Sequence, residues 1–91
     1  MNINRINNLK KQIRYRQNKI TECQAQLEQV LEDIKRIEEM PDGLTKRKSL
    51  LFKETKKTLL LADICSARAQ ILILKNQISQ EQNFEQSQPM Q

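Results

Sequence analysis

The sequence predicts an all-α protein, an antiparallel two-helix hairpin of coiled-coil type that is completed by self-association into a helical bundle. Three observations carry this expectation. An apolar period of about 3.5 residues runs through the first forty positions, the mark of a coiled-coil seam. Pro41-Asp42-Gly43 is the one strong turn signal in 91 residues, holding the only Gly and one of two Pro. Aromatic residues make up 3% and Trp is absent, a composition suited to long helices and poorly suited to the half-buried faces of a sandwich or barrel.

The first helix is placed at residues 4–40. Its apolar residues alternate in steps of three and four: Ile6, Leu9, Ile13, Ile20, Cys23, Leu27, Val30, Ile34 and Ile37, with Arg16 the one polar break. A stripe this regular needs an equally long partner, because at 1.5 Å per residue the helix extends roughly 50 Å. Off the seam the helix is divided by charge. Residues 5–19 carry six cations and no acid, whereas residues 22–42 carry seven acids and two cations.

The turn is placed at 41–44. Proline sets its own φ, and glycine accepts the positive φ that a tight reversal often needs.

The second helix is placed at 45–82, with Thr45 as its N-cap. Lys46-Arg47-Lys48 then puts three cations where the helix dipole favours anions, so something other than local chemistry governs this segment. Antiparallel folding supplies a reason. Residues 43–63, with six cations and two acids, come to lie beside the acidic half of the first helix. Folding about the bend pairs positions whose numbers add to about 85, within one turn. That rule lays a stripe of Leu51, Thr55, Thr58, Ala62, Cys65, Ala69 and Leu72 against the large residues of the first helix, large on small. A second stripe, Leu60, Ile64, Ala67, Ile71, Leu74 and Ile78, is then left over as the partner or oligomer interface. The bland alternative is that the large stripe faces the first helix and the small one faces solvent. The hairpin domain is thus 1–83, and the polar, Gln-rich 84–91 is expected to form a flexible tail.

No histidine is present, and two cysteines cannot complete a zinc site, so no metal and no cofactor are expected. A single glycine leaves no phosphate-cradling loop. The acidic neighbours Glu32/Asp33 and Glu38/Glu39 point about 100° apart on a helix instead of converging as a catalytic pair would. The chain is therefore expected to be no enzyme and to take no small-molecule substrate. Cys23 and Cys65 are read as small buried hydrophobes. No apolar run approaches the roughly 18 residues needed to span a bilayer, and no signal-peptide core follows Met1, so a cytoplasmic protein without a membrane partner is expected.

Two functions fit these features. The first is a non-catalytic helical-hairpin interaction protein, of adaptor, chaperone or inhibitor type, that self-associates or docks a partner helix through the surplus stripe. The second is a small dimeric RNA- or DNA-binding bundle that uses the basic open end: Arg5, Lys10, Lys11, Arg14 and Lys19. A basic segment followed by heptads resembles the layout of leucine-zipper transcription factors. Here, however, Ile6, Leu9 and Ile13 carry the seam through the basic segment, where such proteins need a helix free to enter the groove.

Overall fold

The computed structural model describes residues 3–87, which form two α-helices, α1 at Ile3–Glu38 and α2 at Leu44–Ser87. They pack as an antiparallel hairpin, a rod 76 Å long and 14 by 13 Å across. Two ion pairs between α1 and α2 report the direction and register: Arg5 Nε lies 3.1 Å from Glu81 Oε1, and Lys53 Nζ lies 2.9 Å from Asp33 Oδ2. Both follow the expected pairing of positions about the bend. The helix bounds differ from those expected by one to five residues. Described helix continues through Ser87, beyond the expected end near 82, because Glu and Gln are themselves good helix formers. The rest of the expected tail, 88–91, lies outside the described residues.

The bend is built differently from the expected one. α1 closes with two tight turns, Glu39 N–H to Arg36 C=O at 3.3 Å and Met40 N–H to Ile37 C=O at 3.0 Å, and Pro41 prevents continuation. Gly43 does not adopt positive φ. Its carbonyl accepts the Arg47 N–H at 3.1 Å, which makes Gly43, and not Thr45, the residue that opens α2. The misplaced cation of that first turn also finds its use here. Lys46 Nζ donates to the Glu38 carbonyl at 2.9 Å and to Asp42 Oδ1 at 3.2 Å, so it completes the C-terminus of α1, where positive charge is favoured.

Along α1 the expected seam is the packed face. Leu9, Cys23, Val30 and Ile34 are buried, and Ile6, Ile13, Arg16, Ile20, Leu27 and Ile37 are half-buried. On α2 the assignment of stripes is corrected. Leu60, Ile64, Ala67, Ile71 and Leu74 are buried and Ile78 is half-buried, while Thr55, Thr58, Ala62, Cys65 and Ala69 stand exposed. Leu60 and Ile64 join Cys23, Val30 and Ile34 in one core cluster, with Ile20, Leu27 and Leu50 packed against it. Burying a large aliphatic side chain contributes about 1.5–3 kcal/mol, far more than a Thr or Ala offers, so the large stripe takes the covered face. Position counting located the level of each pairing but not its azimuth. Ile34, expected beside Leu51, has Leu50 packed at its cluster instead, and taken over the whole stripe α2 is turned by about 180° from the expected facing. Cys65, expected to be buried, is exposed by the same rotation, and both cysteines are free thiols.

Candidate interaction surface

Because Leu60, Ile64, Ala67, Ile71, Leu74 and Ile78 are spent on α1, they are not the free surface expected from the sequence. The free apolar surface lies on the opposite side of α2. Thr55, Ala62 and Ala69 each stand two residues from two seam positions, which at about 100° per residue sets them about 180° from the seam. Leu51, Thr58, Cys65 and Leu72 run along one edge of this small-residue line, and Phe52, Leu59, Ser66 and Ile73 along the other; all are exposed. Leu51 keeps 70% of its surface in contact with solvent, Phe52 67% and Leu72 62%. Single exposed leucines need no explanation, but a continuous file of them along one helix face does.

The local sequence holds this face in place. Thr55 Oγ1 donates to the Leu51 carbonyl at 2.8 Å and Thr58 Oγ1 to the Glu54 carbonyl at 3.0 Å, so both hydroxyls are turned back on the helix and leave their methyl groups outward. Lys53 and Lys57, which continue the seam of α2 toward the bend, are half-buried. Their ammonium groups reach Asp33 at 2.9 Å and Glu54 at 3.9 Å.

The basic residues named from the sequence divide into two groups. Arg5 is drawn across the seam to Glu81. Lys10, Lys11 and Arg14 line one shallow cleft with Asn4, Asn7 and Asn8, and among the described residues no carboxylate bridges any of the three. Lys19 borders a second cleft with Arg16, Asp63, Ser66, Ala67 and Gln70, where the acid offsets part of the positive charge. Tyr15, at the end of this basic stretch, is exposed.

Among the described residues no group of three or more Cys, Asp or Glu side chains is placed to hold a metal ion, and no helix is long and apolar enough to cross a membrane. Asp33 has its carboxyl pKa lowered, first by the Lys53 hydrogen bond, then by that from Gln29; desolvation opposes them, and the charges of Lys53 and Arg36 add smaller effects in the lowering direction. This is an ion-pair signature at the hairpin seam, where Lys53 Nζ lies 2.9 Å from Asp33 Oδ2. The fold and surface define a coiled-coil helical hairpin with an apolar outer face. No protein-family model matches the chain, and no curated protein or solved structure matches it significantly.

Proposed function

We propose that the protein is a non-catalytic helical-hairpin interaction protein, an adaptor, chaperone or inhibitor that acts by occupying surface. It self-associates or docks a partner helix through an apolar face of α2. The supporting observation is the file of exposed aliphatic and aromatic side chains from Leu51 to Ile73. A face of this length receives another amphipathic helix in the helix-in-groove manner. The stripe first expected to serve this purpose is occupied by α1, so the role passes to its opposite side. A photo-crosslinking amino acid at Leu59, compared with one at Gln24 on exposed α1, tests the reading in cells. Protein adducts from position 59 and none from 24 are expected. Equal labelling at both positions would count against a docking face.

A second reading has one observation in its favour, the cleft of Lys10, Lys11 and Arg14 with no bridging carboxylate described. In this reading a dimer binds RNA or DNA through these three together with Arg5 and Lys19. Each phosphate neutralised makes binding more sensitive to salt. Fluorescence anisotropy with labelled RNA and DNA should then show binding that weakens steeply with added salt and is lost on Lys10→Glu with Arg14→Glu. No binding of either nucleic acid at low salt removes this reading.

A further inference from the structure

We infer that the occupant of the outer face is a second copy of this chain, with the two α2 helices antiparallel about a two-fold axis at Ala62. The inference rests on the docking reading above and specifies its partner. An isologous contact demands a surface complementary to itself under the two-fold, residue i meeting j and j meeting i. The outer face has this property. The two-fold at Ala62 keeps each edge of the face against the same edge of the partner, which sets Leu51 beside Leu72, Phe52 beside Ile73 and Thr55 beside Ala69, so large side chains meet large ones at both ends. Along the central line small residues meet small ones, and at its edge Leu59 meets Ser66; all are exposed. The small central line lets the two helices approach closely, and the large pairs close the ends.

Charge selects the direction. The first half of α2, Lys46 to Lys57, holds six cations and one acid, so a parallel pairing would set two such segments side by side. The antiparallel pairing keeps them at opposite ends of the contact. It also brings Glu54 within about 3 Å of the level of Arg68 of the partner subunit along one edge, while the like-charged Arg47 and Lys75 come equally near each other outside the apolar stretch. The stretch from Leu51 to Ile73 is about 33 Å long and one helix about 10 Å wide, a patch of about 330 Å², comparable to the largest apolar patch on an ordinary monomer, which is often a functional surface. It is smaller than a standard permanent interface, which makes the dimer a concentration-dependent one.

Sedimentation of the full chain over a wide concentration range should show monomer passing to dimer. Phe52→Glu with Leu72→Glu should hold the chain monomeric with unchanged helix content by circular dichroism. Register is tested by disulfide trapping in a Cys65→Ser background. Ala62→Cys alone should oxidise to a covalent dimer, since the two positions meet on the axis. Thr55→Cys and Ala69→Cys should each fail alone and trap a dimer when mixed. A dimer that traps at none of these positions overturns the register. A chain that stays monomeric throughout, while Leu59 still crosslinks to other proteins, overturns the second copy and leaves the docking face standing. Monomer with no selective labelling at Leu59 overturns both.

Discussion

Lys53 Nζ donates to Asp33 Oδ2 at 2.9 Å, joining α2 to α1 where both side chains are half-buried. Asp33 also accepts from Gln29 Nε2 at 3.0 Å, so its carboxylate is held from both helices. The folded pKa of Asp33 therefore lies below its ordinary 3.8. A carboxylate with a depressed folded pKa contributes stability that is present above the unfolded value and is lost as pH falls through the folded one.

The first prediction concerns acid. Thermal melts followed by circular dichroism should show the wild type losing stability as pH drops below 3.8, and Asp33→Asn losing less over the same interval. Above that range the variant should be the less stable of the two. Parallel curves for both proteins would show that the bridge does not persist in solution.

The second concerns the bend. Gly43 has no positive φ, and nothing lies within 4 Å of where its Cβ would stand. It serves as the N-cap of α2, where serine is preferred to glycine by a few tenths of a kcal/mol. Gly43→Ser should leave the melting temperature unchanged or raise it slightly. A loss of about 1 kcal/mol or more would mean that the bend requires glycine after all.

The third separates the two faces of α2. Ile64→Gln with Ile71→Gln removes two buried aliphatics from the seam, roughly 3–6 kcal/mol by area, and helix content itself should collapse. Leu72→Gln, at an exposed position, should change the stability of the monomeric hairpin by less than about 0.5 kcal/mol. Urea titrations at low protein concentration measure both.

The fourth concerns Lys46. Its ammonium serves the last turn of α1 while its own helix gains nothing from the charge. Lys46→Met should destabilise the hairpin by about 1 kcal/mol, because a carbonyl at a helix C-terminus loses its cation. Lys48→Met, at an exposed position without such a bond, should be neutral or slightly stabilising. Equal effects on the melting temperature would assign the loss to net charge.

Much of this protein was legible before any coordinate. The stripe from Ile6 to Ile37 is the packed face of α1 because a coiled-coil seam is a local property: its period appears in the order of residues whatever lies opposite. The location of the bend and the level of Arg5 with Glu81 followed in the same way, since one helix breaker and a fixed rise per residue leave little freedom. The choice between the two stripes of α2 was beyond local reasoning. Both repeat at helical spacing, they lie on opposite sides of the helix about 180° apart, and a hairpin can cover only one of them. Only packing decides, because the gain from setting Leu60, Ile64, Ile71 and Leu74 against α1 exists only once the two helices meet. The use of Lys46 was hidden for the same reason: the carbonyl it serves belongs to the other helix, and a cation that opposes one dipole completes its neighbour.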